Sequence, residues 1–394
     1  MRTGFIFLTL AYVLSQFYRA FLAVLTPVLG TDLGASAADL SLASGLWFGF
    51  FAAMQIPVGW ALDRFGPRWT ASVLLALGGG GGSALFATAQ SPAGVQAAMA
   101  LIGIGCAPVL MASFYIFARL YRPAVFGTLA GLVLGIGTAG NLAGSAPLAW
   151  VVESFGWRQS LWGMFFLTLI VAGGLALFVK NPPRAETADG AEKGSLFDLL
   201  KMPALWLIFP LLLVNYAPAA GIRGLWAGPY LRDVFGLDAG GIGAITFWMA
   251  VAMMIGSLAY GPLDRLLHTR KWVVLGGNLL GALCLLGLWI FTDNAPMTSA
   301  ILLFGVGLFG LSFPLMMAHG RSFIPPHLTG RGVTLLNLFS IGGVGILQVV
   351  TGRIYTATST AADPVVPYQT LFLFFAVLIL IGSAIYAFSE DRMD

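Results

Sequence analysis

The chain has 394 residues, 58 % of them hydrophobic and 9 % charged, with a mean hydropathy of +0.89. A soluble domain carries about 25 % charge, so a soluble enzyme is excluded and an integral membrane protein is implied. The net charge of +4 sits in short polar connections, where basic residues set topology rather than bind nucleic acid.

A bilayer span needs about 20 apolar residues. Such segments are predicted at 5–29, 41–62, 69–89, 93–119, 126–151 and 159–179, and again at 204–234, 241–263, 272–291, 298–319, 331–354 and 368–388. The first is too long for a signal-peptide core and reads as an uncleaved helix. Cys106 and Cys284 lie inside apolar runs and imply no disulfide framework. The stretch between the two sets holds Pro182, Pro183 and much of the Glu and Lys. The domains expected are therefore an N-terminal six-helix bundle at 1–180, a linker at 181–203 and a C-terminal bundle at 204–394.

With the N-terminus inside, fifteen loop Lys and Arg fall on the cytoplasmic side. Only Arg158, Arg232 and Arg353 fall outside. This bias places both termini in the cytoplasm. The halves also repeat. At an offset of 201, Asp32 matches Asp233, Trp47 matches Trp248, Asp63 matches Asp264 and Arg64 matches Arg265; at 202, Arg119 matches Arg321 and Pro123 matches Pro325. Duplicated halves related by an axis along the membrane normal follow. The fold class expected is all-α, with twelve transmembrane helices in two pseudo-symmetric six-helix bundles.

Arg19 and Arg223 alone among the charged residues sit in the middle of apolar runs. A charge near the bilayer midplane costs at least ~2.5–3.5 kcal/mol, so it faces a protein interior or aqueous cavity and marks function. Two such cations call for an anion from outside. Tyr12, Ser15, Gln16 and Arg19 recur at helical spacing as one polar stripe. Asn215, Tyr216, Arg223 and Trp226 form a similar one on the seventh segment. There Pro218, Gly221, Gly224, Gly228 and Pro229 interrupt the helix, as in broken helices that line a transport site. Gln55, Tyr115, Asn141, Asn337 and Gln348 are further intramembrane polar groups, each alone readable as interhelical glue. Tyr115, Asn141 and Asn337 join the candidate pocket.

Gly59, Asp63, Arg64, Gly66 and Arg68 spell G-x-x-x-D-R-x-G-x-R after the second segment. This resembles the loop signature of the major facilitator superfamily, and Gly156-Trp157-Arg158 before the sixth segment is another of its common features. Asp264-Arg265 carries a degenerate second copy. The resemblance implies secondary transport by alternating access, with gating pairs Asp63–Arg119 and, by symmetry, Asp264–Arg321 that hold the outward-open state and break when the cytoplasmic side opens. Tyr12 with Arg19 and the central Arg223 resemble the organic-anion and organic-phosphate antiporter branch, where paired arginines bind the substrate. Asn141 in its glycine-rich setting is similar to the nitrate/nitrite branch.

Drug–proton antiporters of the superfamily usually carry an arginine four residues before a glycine in the fourth helix; here Met99 precedes Gly103. Gly135-x-Gly137-x-x-Gly140 and Gly305-x-Gly307-x-x-Gly310 match a nucleotide pattern only in letters. They lie within membrane segments, where small residues let helices approach closely. The glycines at 78–82 read the same way. Met249, Met253, Met316, Met317 and His319 offer a copper reading, since thioether selects Cu(I), although methionine is an ordinary gap-filler.

The expectation is thus a monomeric transporter of a small anion in a bacterial inner membrane, without cofactor, metal or nucleic-acid partner. No dedicated proton carboxylate is expected. Proton-driven drug efflux, copper import and a non-transporting sensor are the alternatives.

Overall fold

Apolar runs become helices because lipid offers backbone groups no other partner. The structure, a computed structural model, describes residues 2–120, 123–182, 196–325, 329–359 and 363–393. The stretch 183–195 of the expected linker lies outside it, as do the side chains of Asp63 and Arg265. Ten described helices are long and apolar enough to span a membrane. These are α2 (Ala37–Leu62), α3 (Pro67–Ala87), α4 (Pro92–Phe117), α6 (Trp157–Phe178), α7 (Pro203–Phe235), α8 (Ala239–Tyr260), α9 (Lys271–Ile290), α10 (Pro296–Arg321), α11 (Leu335–Thr358) and α12 (Val366–Tyr386). Two bent pairs complete twelve. In α1, Thr3–Ala20 meets Leu22–Leu33 at 48°, and in α5, Leu132–Ala143 meets Ala146–Phe155 at 40°. The chain divides into two units, Met1–Thr187 and Ala188–Asp394.

The repeat read from the sequence is carried by matched contacts inside each unit. Ser36 caps α2 through a reciprocal box with Asp39, and Asp238 caps α8 by accepting the Gly241 N–H at 2.8 Å. A Cβ on Gly103 of α4 would lie 2.4 Å from the Trp47 carbonyl of α2, and one on Gly307 of α10 would lie 2.7 Å from the Met249 carbonyl of α8. Likewise Gly140 of α5 abuts Val13 of α1 (1.9 Å to its carbonyl) and Gly343 of α11 abuts Leu213 of α7 (2.0 Å). Only glycine permits backbones this close. These contacts also account for Gly140 and Gly307 of the nucleotide-like pattern, whereas a Cβ on Gly135 would meet open space.

The matched aspartates tie first span to last. Asp32 accepts the Trp157 Nε1–H at 2.8 Å in unit 1, and Asp233 accepts the Tyr368 hydroxyl at 2.6 Å in unit 2. Buried tyrosines pin each interior. Tyr18 shares its hydroxyl with Ser83 (2.6 Å) and Thr168 (2.7 Å), while Tyr230 bonds Ser299 (2.7 Å) and the Thr292 carbonyl (2.6 Å). Trp150, Ile170, Leu177, Leu258 and Leu283 point outward, as lipid-facing side chains do.

Candidate functional site

In unit 1 the α1 stripe converges on one place. Gln16 Nε2 donates to the Tyr12 hydroxyl at 3.1 Å, and both side chains are buried. Gly137 of α5 lies against the Tyr12 ring, and Asn141, half-buried, follows one turn on. Arg19 is half-buried just before the α1 bend. Its guanidinium carbon stands 5.3 Å from the centre of the Trp47 ring and 5.4 Å from that of Phe51. Those rings are stacked at 5.2 Å. A cation over aromatic faces is held by the ring quadrupole. Trp47 and Phe51 escape a search for polar residues; the available signal is aromatic i, i+4 spacing on the span after the charged one.

In unit 2 the geometry corrects the expected stripe. Ile222–Trp226 is a π-helical turn, which widens the helix and rotates everything after it. Arg223, 4 % exposed, directs Nε to the Thr246 carbonyl of α8 at 3.4 Å. Trp226 faces α11, donating to Thr351 Oγ1 at 3.0 Å and lying 5.1 Å from the Tyr355 ring. Asn215 faces α9 and α10, donating to Asn278 Oδ1 (2.8 Å) and Ser312 Oγ (2.7 Å). Three stripe residues therefore address three neighbours. Gln348 of α11 reaches the same region, 3.1 Å from where a Gly221 Cβ would stand.

Tyr115 is not at the depth of the arginines. Tyr115 lies under Arg119, 4.2 Å from ring centre to guanidinium carbon, one turn from the end of its helix. At 1.5 Å per residue Tyr115 falls roughly 15 Å short of a mid-span group. Asn337 is eight residues into the helix Thr329–Thr358 that carries α11. Two cavities within the units lie elsewhere: one of about 60 Å³ lined by Phe5, Leu8, Phe117 and Lys180, and one of about 10 Å³ beside Asn215 and Asn278.

At the loop end of unit 1, Gly66 has φ 82°, a conformation that favours glycine. Arg64 lies over Trp60 (5.2 Å) and Arg68 over Trp69 (4.7 Å). Gly59 has open space where a Cβ would go. The Asp63 side chain, and so the Asp63–Arg119 pair, lies outside the described residues. In unit 2 the expected Asp264–Arg321 pair is not formed. Asp264 instead accepts Arg270 Nε at 3.3 Å, both buried, while Arg321 is exposed. The reason is local: Arg270 is six residues on, and the turn at His268 folds it back.

The family profile of the Major Facilitator Superfamily matches residues 8–225 and 224–393. The chain belongs to this superfamily. It is a multi-pass membrane transporter with the major facilitator fold, not an enzyme. The probable sulfoacetate transporter SauU of Cupriavidus necator is 22 % identical over 324 residues, covering 77 % of this chain and 75 % of the relative. The hexuronate transporter of Bacillus subtilis is 26 % identical over 303 residues, covering 71 % and 69 %. Among solved structures, a bacterial homologue of the human lysosomal transporter Spinster, inward-facing and occupied, superposes with a TM-score of 0.75 at 17 % identity, covering 97 % of this chain and 95 % of that one.

The histidine of the copper alternative is engaged within the protein. Both nitrogens of His319 are engaged, Nδ1 with the Tyr386 hydroxyl at 2.5 Å and Nε2 with the Glu390 carbonyl at 2.9 Å. No group of three or more His, Cys, Asp or Glu that could hold a metal occurs among the described residues.

Proposed function

We propose that this facilitator carries a small organic anion by alternating access, with Arg19 of unit 1 and Arg223 of unit 2 neutralising the substrate's charge. The observation that carries the reading is the setting of Arg19: mid-span, stacked over Trp47 and Phe51, one turn from the Tyr12–Gln16 pair. Cation–π contact is worth about 0.5–2 kcal/mol. Gln16 Oε1 is buried without a hydrogen-bond partner in the protein, an acceptor suited to a hydroxyl on the substrate. The printed names of two relatives, for sulfoacetate and hexuronate, are names of anions and support the same class.

In this reading the loop end is cytoplasmic, because fifteen of the eighteen loop Lys and Arg gather there. Both termini are then cytoplasmic, the membrane is a bacterial inner membrane and the working unit is a monomer. The domains are two six-helix bundles, 1–180 and 204–394, joined by a linker at 181–203. Asp63 and Arg119 form the unit 1 gate. Arginine does not titrate near neutrality, so the coupling is exchange, or facilitated movement of a substrate that carries its own proton. Counterflow in proteoliposomes, with and without an imposed pH gradient, tests this. Exchange indifferent to the gradient is expected; accumulation that vanishes when one acidic residue is neutralised would overturn it.

A further inference from the structure

Each unit ends its last span in a short extension that returns to the start of its own third span. In unit 1, Asn181 stands three residues beyond α6. Its Oδ1 accepts the Arg68 N–H at 2.9 Å and its Nδ2 donates to the Phe65 carbonyl at 3.3 Å, bracketing the Gly66 turn. A Cβ on Gly66 would lie 2.5 Å from the Asn181 amide. Arg68 Nε reaches back to the Ala176 carbonyl of α6 at 2.5 Å.

In unit 2, Asp391 stands five residues beyond α12. Its carboxylate accepts the Thr269 hydroxyl, the Arg270 N–H (3.2 Å) and the Lys271 N–H (3.0 Å). The extension is held in turn by His319 of α10. The Glu390 carbonyl can only accept, so His319 Nε2 carries the proton and Nδ1 accepts from Tyr386. Arg392 lies over Phe323, 4.7 Å from the ring centre, and pairs with Glu390 at 2.8 Å.

Asn181 and Asp391 are 210 residues apart, whereas the loops they hold follow the repeat offset of 202 (Arg68 to Arg270). Two side chains outside the repeat register, one an amide and one a carboxylate, thus reach the same backbone place in both units. Orphan N–H groups at a helix start are ordinarily capped by the residue just before the helix. Here the cap comes from the far end of the bundle.

We propose that Asn181 and Asp391 are positioning residues that fasten the two motif loops to the last span of their own unit, so that each loop moves with its bundle during gating. The proposal rests on the alternating-access reading for its purpose, not for its geometry. The groups facing Asp391 are Thr269, Arg270 and Lys271 from the loop, His319 from α10, and Glu390 and Arg392 from the tail; Asp264 of α8 holds the Arg270 side chain.

The test is amide hydrogen exchange on the full-length protein in detergent, read at residues 68–70 and 270–272. Asn181→Ala should speed exchange at the first loop, and Asp391→Ala at the second, each about 5–30-fold, the size of one lost cap. The other unit's loop should stay unchanged, and Asp391→Asn should restore most of the protection. No local change, or a rise spread evenly over the bundle, would overturn the proposal. The readout needs no substrate, so failure of the anion reading would appear separately, as absent anion binding in a protein with local clamps.

Discussion

The guanidinium carbon of Arg19 stands 5.3 Å from the centre of the Trp47 indole, so a mid-span charge on α1 is stacked on an aromatic of α2. Trp47→Leu removes the ring face and leaves a smaller apolar side chain. Anion affinity should fall by about 2- to 30-fold, matching a cation–π term of about 0.5–2 kcal/mol. Isothermal titration with the tightest anion found would measure it; unchanged affinity would mean that the stack is only packing.

Gly66 combines φ 82° with a neighbour that leaves no room for a Cβ. Gly66→Ala should destabilise by about 1–3 kcal/mol, visible as a lower unfolding temperature. Gly34, at φ 63° with nothing near its Cβ position, should cost less on the same substitution. Equal losses would show that strain alone decides.

Helix packing predicts a contrast within α5. A Cβ on Gly140 would lie 1.9 Å from the Val13 carbonyl, whereas none of its neighbours lies within 4 Å of a Cβ on Gly135. Gly140→Ala should therefore reduce folded yield severely, and Gly135→Ala should be neutral or slightly stabilising. Detergent-solubilised size-exclusion profiles would separate the two.

Burial of the Asp391 carboxyl works to raise its pKa, but the Thr269 hydroxyl, the Lys271 and Arg270 N–H groups and nearby His319 outweigh it and hold it below the usual aspartate value. A depressed folded pKa contributes stability that is present above the unfolded value, near 3.9 for aspartate, and lost as pH falls through the folded one. The unit 2 clamp should thus be complete at neutral and mildly acidic pH and weaken only below about pH 4. The unfolding temperature of the wild type should fall more steeply in that range than that of Asp391→Asn. Parallel curves would contradict the assignment.

Much of the fold was legible because lipid imposes one rule. Twelve runs of sufficient length appear as spans or bent pairs, and the repeat in Asp32 and Asp233 reappears as matched ties to Trp157 and Tyr368. The bends were less legible: α1 turns at Phe21 without a proline or glycine at the break. Helical spacing agrees on α1 with the Tyr12–Gln16 hydrogen bond, because that half of the helix is regular. It failed on α7 because the π-turn at Ile222–Trp226 shifts the phase, which periodicity cannot anticipate. Tyr115 was assigned by residue type without regard to depth. Asp264 was matched to Arg321 by symmetry, whereas Arg270 is nearer along the chain.

The central claim is most directly tested by a thermal-shift survey of purified protein against a panel of carboxylates, sulfonates and phosphates with their neutral analogues. At least one anion should stabilise the wild type while its neutral analogue does not. That shift should disappear in both Arg19→Gln and Arg223→Gln, with each variant still folded. Equal stabilisation by a neutral or cationic compound, retained in both variants, would contradict the assignment of these arginines to an anion.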